Sequence, residues 1–106
     1  SIERNWMFVI DLDSSICGFI NYRHRMDNLT TVYQICIENL NRRKGYGSLL
    51  MEKLFCESRK LGKSKVRLKS PISNASNEFY EKIGFEIVSI EKKKGNLIIT
   101  WEHMLD

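Results

Sequence analysis

Three cations, two glycines, a tyrosine and a serine run together in Arg42-Arg43-Lys44-Gly45-Tyr46-Gly47-Ser48. Glycine lets a backbone come close to a ligand, and the free amides of a first helical turn attract phosphate oxygens with the help of the helix dipole. The cations ahead of Gly45 strengthen that field, so the segment reads as a cradle for a phosphate-bearing molecule. Taken alone, the same residues also fit a solvated basic cluster before a glycine-containing helix start. Two other phosphate loops are excluded by spacing, because neither G-x-x-x-x-G-K-[ST] nor G-x-G-x-x-G occurs.

Other residue types capable of chemistry are scattered. Cys17, Cys36 and Cys56 are odd in number, widely spaced and without a C-x-x-C pair. They signal neither a disulfide framework nor a zinc knuckle, and a reducing cytoplasm is the expected setting. Cys36 falls in an expected strand and Cys56 on an expected helix, where buried packing residues are commoner than nucleophiles. His24 and His103 stand apart from each other and from any ligand spacing, so no metal is expected. The start of the chain shows no basic segment followed by an apolar stretch and a small-residue cleavage site, so nothing reads as a secretory signal.

The elements that must position the loop follow from pattern. With 106 residues, 42% hydrophobic and 28% charged, the chain fits one globular domain spanning 1–106. Its longest apolar run, Trp6 to Ile10, is far below the roughly 20 residues that cross a bilayer, so no membrane role is expected. A formal charge of +4 favours anionic partners without choosing among them. Strands are expected at Trp6 to Leu12, Ile16 to Tyr22 and Thr30 to Ile37, with a polar turn from Arg23 to Asn28. In the third, Thr31, Tyr33, Ile35 and Ile37 are expected on one face.

Leu50, Leu54 and Leu61 then recur at helical spacing, predicting about four turns that end at Leu61-Gly62. A short strand, Lys65 to Leu68, ends before Ser70-Pro71, and Ser73-Asn74 offers a cap for a helix through Phe79, Tyr80 and Ile83 to Gly84. Glu86 to Ile90 and Asn96 to Trp101 form a hairpin whose tip is Lys92-Lys93-Lys94-Gly95. The order is βββαβαββ, an α+β (α/β layered) domain with two main helices.

Arg42-x-x-Gly45-x-Gly47 directly after a strand, followed by Leu49-Leu50-Met51, resembles the acyl-coenzyme A pyrophosphate loop of the GNAT superfamily of N-acetyltransferases. The stretch from Ser73 to Phe85, with its polar start and Phe79-Tyr80-Glu81-Lys82-Ile83-Gly84-Phe85, is similar to the family's second signature. The resemblance covers about Trp6 to Trp101 and implies a GNAT-like mixed central sheet and acetyl-CoA as cosubstrate. It implies that the amides of Arg43, Lys44, Gly45, Tyr46, Gly47 and Ser48, with the Ser48 hydroxyl, hold the pyrophosphate beside Arg42. Gapless counting puts the family's oxyanion-directed amide at Ile35 and its pantetheine-pairing backbone at Ile35 and Ile37. Tyr80 matches the tyrosine that protonates the departing thiolate, and a phenol of pKa near 10 is a reasonable acid for it. The implied reaction is direct attack of a primary amine on the acetyl group, with no covalent enzyme intermediate.

Departures from the family pattern matter equally. The asparagine that touches the coenzyme arm seven residues before the tyrosine is Ser73 here, with Asn74 one place later. The positions where members carry a base are Thr31 and Tyr33, neither a convincing base at neutral pH, which leaves Glu38, His24 or water. The family's first strand and two helices are expected to be missing, since only Ser1 to Asn5 precede the first strand; the chain reads as a trimmed or minimal core, or one domain of a longer protein. Two other readings stay open: a nucleic-acid-facing protein using Arg23-His24-Arg25, Arg42-Arg43-Lys44 and Lys92-Lys93-Lys94, not favoured, and a non-catalytic interaction domain. The acceptor, a small molecule or a protein, and the oligomeric state, a homodimer included, are not given by the sequence.

Overall fold

Buried Leu50, Met51, Leu54, Phe55 and Ser58 follow one another at helical spacing, so the segment Tyr46–Lys60 winds into helix α1 with one apolar face. The computed structural model describes residues 5–12, 15–37 and 45–105. Before α1 come strands β1 (Asn5–Leu12), β2 (Ser15–His24) and β3 (Leu29–Ile37); after it come β4 (Lys65–Pro71), helix α2 (Asn77–Lys82), β5 (Glu86–Lys93) and β6 (Asn96–Met104). The six strands form one sheet in the order β1-β2-β3-β4-β6-β5. Every neighbouring pair is antiparallel except β3 and β4, which are parallel and joined through α1. The two helices and the α+β layering are those expected from the order of elements, and the mixed sheet is the one the family resemblance implies.

The core explains the layering. Ile20, Tyr22, Val32, Val66, Leu68, Ile99 and Trp101 from the sheet gather with Leu50, Met51, Leu54 and Phe55 of α1, Tyr80 of α2 and Phe85. Alternation is clean on β4, where Val66, Leu68 and Ser70 are buried, while Arg67 reaches Glu102 of β6 in an ion pair of 2.7 Å. The β5–β6 hairpin closes through Lys94 (φ 51°) and Gly95 (φ 84°), two left-handed residues whose twist matches the strands they join. Among the described residues, no helix is long and apolar enough to cross a membrane.

Several features differ from the sequence expectation. β2 continues through His24, so this histidine lies in a strand and is part-buried, not in the turn. β4 runs on through Ser70 to Pro71, because proline lacks an N–H and is tolerated where a strand has no partner on one side. Helix α2 is short and its N-cap is Ser76; Asn74 instead accepts a hydrogen bond from the Ser76 amide at 2.7 Å, an Asx turn that precedes the helix. Finally, Cys36 and Cys56 are both exposed rather than packed inside.

Candidate active site

The site is built by a strand that changes phase. In the β2–β3 ladder Asn21 faces Gln34 and the next residue, Tyr22, faces Val32, so Tyr33 is an extra residue, a β-bulge. The bulge flips the alternation. Thr30 and Val32 are buried before it and Ile35 and Ile37 pack against the same core after it, so Thr31, Tyr33, Ile35 and Ile37 do not share one face as simple alternation predicts. Tyr33 is exposed beside Arg23, whose guanidinium carbon lies 6.0 Å from its ring centroid.

A bulge bends its strand and raises the twist, and β3 parts from β4 at this level. The two pair from Leu29↔Lys65 through Val32↔Leu68. Beyond that, β3 stays paired with β2 as far as Ile37↔Gly18, and β4 with β6 as far as Pro71↔Ile98. Both strands continue while their mutual ladder stops, which opens a wedge between residues 33–37 and 69–71. Among the described residues the β3–β4 ladder has no pair beyond Val32↔Leu68, and an extended ligand could take the ladder positions at the level of Gln34 and Ile35. Gly18 is part of this construction: a Cβ on it would stand 2.6 Å from Ile37 Cδ1 and 3.1 Å from the Cys36 carbonyl oxygen. The signal was present in sequence as an isolated glycine inside a strand.

Helix α1 starts after the C-terminal end of β3, on the open side of the wedge. Gly45 is its N-cap at φ 83°, a left-handed conformation suited to glycine, and among the described residues no side chain caps the helix. The first turn carries no acidic residue, so the amides of Tyr46, Gly47 and Ser48 are left for an anion. Gly47 has a second duty. A Cβ there would lie 3.1 Å from the Phe79 ring of α2, so its size is set by the packing of the two helices, whatever ligand lies nearby. Arg42, Arg43, Lys44 and Glu38 lie outside the described residues.

Helix α2 brings Tyr80 into the core, 6% exposed, with Trp101 edge-on at 6.0 Å and Phe85 at 6.2 Å between ring centroids. Burial pushes its phenol above the usual tyrosine pKa, and the hydrogen bond with the Ser76 side chain works the other way. The hydroxyl is therefore protonated at neutral pH. A network that sequence reasoning missed ties α2 to the β4 wall of the wedge. The Ser70 hydroxyl donates to Asn77 Oδ1 at 2.7 Å and accepts from Trp101 Nε1 at 3.0 Å, while Asn77 Nδ2 donates to the Pro71 and Ile72 carbonyls at 3.1 and 3.2 Å. Ser73 is exposed next to this network, and Asn74 is engaged through its side-chain oxygen in the Asx turn.

Candidate bases are not gathered at the wedge. The strand segments 33–37 and 69–71 carry no carboxylate or imidazole. His24 sits at the closed end of the β3–β4 pair, where its Nδ1 lies 2.8 Å from Thr30 Oγ1 and that hydroxyl lies 2.9 Å from Ser58 Oγ. Burial pushes the His24 imidazole below its ordinary pKa, opposed by Glu57 and aided by Lys63. Thr31 faces the level of Arg67 before the bulge, and Tyr33 is the bulged residue itself. Among the described residues, no group of three or more His, Cys, Asp or Glu side chains could hold a metal ion.

A family model described as an acetyltransferase (GNAT) domain matches residues 3–87. No curated protein matches the chain. Among solved structures, the ribosomal-protein-S18-alanine N-acetyltransferase from Escherichia coli aligns with a TM-score of 0.85 at 22% identity, over 97% of this chain and 70% of its own. A provisionally named streptothricin acetyltransferase from Bacillus anthracis str. Ames, solved in complex with acetyl coenzyme A, aligns with a TM-score of 0.89 at 22% identity, over 96% of this chain and 63% of its own. A GNAT-family protein from Desulfovibrio desulfuricans gives 0.87 at 17% identity, over 94% and 69%. These three are likenesses of fold, and the chain spans about two thirds of each of them.

Proposed function

The chain belongs to the acetyltransferase (GNAT) domain family, and we propose that it transfers an acetyl group from acetyl-CoA to a primary amine by direct attack. One observation carries the reading: two parallel strands stop pairing at Val32↔Leu68 although both continue, and an uncapped helix N-terminus without acidic residues follows the open end. An arm with amide groups fits the wedge, and a pyrophosphate fits the helix start. The residues present therefore suit this cosubstrate.

When bound, acetyl-CoA supplies a thioester carbonyl for the amine to attack and a thiolate that leaves. The amides of Gly45, Tyr46, Gly47 and Ser48 and the Ser48 hydroxyl hold the pyrophosphate, with Arg42, Arg43 and Lys44 supplying positive charge. The backbone of Ile35 and Ile37 pairs with the coenzyme arm, and Ser73 or Asn74 touches it from the other side. The Ile35 amide donates to the carbonyl oxygen as negative charge builds on it, a role often worth a few kcal/mol. Tyr80 then gives its proton to the departing sulfur. Burial favours its protonated form. With no base on the wedge walls, the attacking amine loses its proton to water or to Glu38.

Calorimetric titration of the folded chain with acetyl-CoA, desulfo-coenzyme A and ATP tests the reading. Saturable binding of both coenzymes and none of ATP is expected. Absence of coenzyme binding by protein shown folded by circular dichroism would overturn it.

A further inference from the structure

We propose, on the acetyl-transfer reading above, that the acceptor is an amine carrying a carboxylate or phosphate close to its nitrogen, and that Lys69 selects it. The two faces of the wedge differ. Val66, Leu68 and Ser70 of β4 are buried on the side where α1 and α2 pack, and Ile35 and Ile37 of β3 pack against the same core. The start of α1 and Tyr80 lie on that side, so it takes the coenzyme's pyrophosphate and leaving sulfur. On the other face Gln34 and Cys36 of β3 and Lys69 and Pro71 of β4 are exposed, and no described helix covers them. An amine has room to approach from there.

Charge on this open face is uneven. Lys65, Arg67 and Lys69 alternate with the buried residues of β4, so all three stand on it. Glu102 of β6 takes the first two, at 3.6 Å from Lys65 Nζ and 2.7 Å from Arg67 Nη2. Lys69 comes next, past the last β3–β4 pair at Val32↔Leu68, and among the described residues no carboxylate pairs with it. Its neighbours across the sheet are neutral, Thr100 on β6 and then Ser89 on β5. Glu91 is level with Pro71 but stands on β5, two strands and about 10 Å from β4. On the β3 side Gln34 faces Asn21 and Cys36 faces Phe19, all uncharged. Arg23, at the level of Thr31, brings a further cation beside the Tyr33 ring.

The acceptor side of the wedge is thus flanked by cations and neutral polar groups. An acceptor that is only a cation meets repulsion there, and a polyamine meets it at every nitrogen. An amine with an anionic group a few bonds away gives Lys69 a partner, and the charge-assisted contact fixes the nitrogen end near the gap. Gln34, the first residue of β3 on this face after the bulge, offers an amide from the opposite wall. A lysine is a compact charge with three donors on a flexible stem, so carboxylate and phosphate both suit it. Lys69 is in this sense a specificity-determining residue.

Thiol release from acetyl-CoA in the presence of matched acceptors tests this: ethanolamine phosphate against ethanolamine, β-alanine against β-alanine amide, and putrescine as a dication. The anionic member of at least one pair should have the higher kcat/KM, the pair showing which anion is read, with putrescine poorest and the advantage shrinking in added salt. Lys69→Glu should cut the preference by about ten-fold, because it trades an exposed attraction for a similar repulsion. Lys69→Arg should keep it, and both variants should retain the wild-type circular dichroism since the side chain is exposed. Calorimetric titration with acetyl-CoA separates the two ways of failing. A folded chain that does not bind the coenzyme overturns the acetyl-transfer reading itself. A chain that binds it yet acetylates none of the anionic amines, or prefers the neutral or dicationic ones, overturns the acceptor class. An anionic preference untouched by Lys69→Glu overturns the role of Lys69.

Discussion

Replacing Tyr80 by phenylalanine separates its two duties, filling the core and handing over a proton. The ring stays, so its edge-on contacts with Trp101 and Phe85 are kept, and what is removed is one buried hydroxyl with its Ser76 hydrogen bond. A neutral hydrogen bond contributes about 1 kcal/mol net, which lowers Tm by about 4–8 °C in a domain of this size. Proton donation to the leaving group is worth about 10²–10⁴ in rate, or roughly 3–5 kcal/mol of barrier. The kinetic loss should thus exceed the stability loss several-fold. Single-turnover thiol release measures it, and calorimetry should find acetyl-CoA affinity within about two-fold of wild type, because the lost interaction acts in the transition state. Because burial raises the phenol pKa, the fall in rate caused by loss of this proton should come at a higher pH than an ordinary tyrosine would give. A folded variant that keeps the wild-type rate when chemistry is limiting would refute the acid role and leave Tyr80 a packing residue.

Asn77→Ala removes three hydrogen bonds that fasten the end of β4 to α2 and leaves the buried Ser70 hydroxyl without its acceptor. A loss of about 1–3 kcal/mol in urea unfolding is expected, together with a raised KM for acetyl-CoA; unchanged stability would show that the network does not hold the wedge wall. At alkaline pH, burial and then Glu57 push the Tyr22 phenol up to about 12 in the folded chain, against about 10 unfolded. The sign follows from proton binding: the folded state holds this proton more tightly, so the contribution is complete below pH 10 and is lost as pH rises towards 12. Urea titrations at pH 9, 10 and 11 should show the decline, and Tyr22→Phe should flatten part of it; equal slopes in the two proteins would count against the assignment.

What could be read from sequence was what depends on neighbours along the chain. Leu50, Leu54 and the residues beside them mark α1 through their period, and Gly45 and Gly47 mark its start, because these are properties of one segment. The order of elements along the chain followed for the same reason, whereas the place of β6 between β4 and β5 in the sheet did not. What escaped depends on contacts across the sheet. Thr30 to Ile37 alternates plausibly in either phase, and the bulge at Tyr33 exists only relative to Asn21 and Tyr22 on β2. Once the phase flips, Ile35 and Ile37 turn to the core and Cys36 turns out. His24 looked like a turn residue because its hydroxyl neighbours, Thr30 and Ser58, are supplied by a later strand and a helix. Pro71 suggested an early end to β4, whereas the absence of a β3 partner at that level is what makes proline acceptable there.

That last point bears on how the wedge can exist at all. Parting two strands inside a sheet usually forfeits hydrogen bonds on both and frees the backbone, at about 1–2 kcal/mol of ordering per residue when a ligand later closes the gap. Here each wall is held from outside: β3 by β2 as far as Gly18, and β4 by β6 as far as Ile98, with Asn77 fastening the tip. Residues 33–37 and 69–71 are ordered before any ligand arrives. An extended ligand entering the wedge would then gain backbone hydrogen bonds without ordering either strand, and binding energy that would go into folding the site remains for positioning the reacting groups. The bulge opens the gap, and the outer pairs keep it from collapsing or fraying.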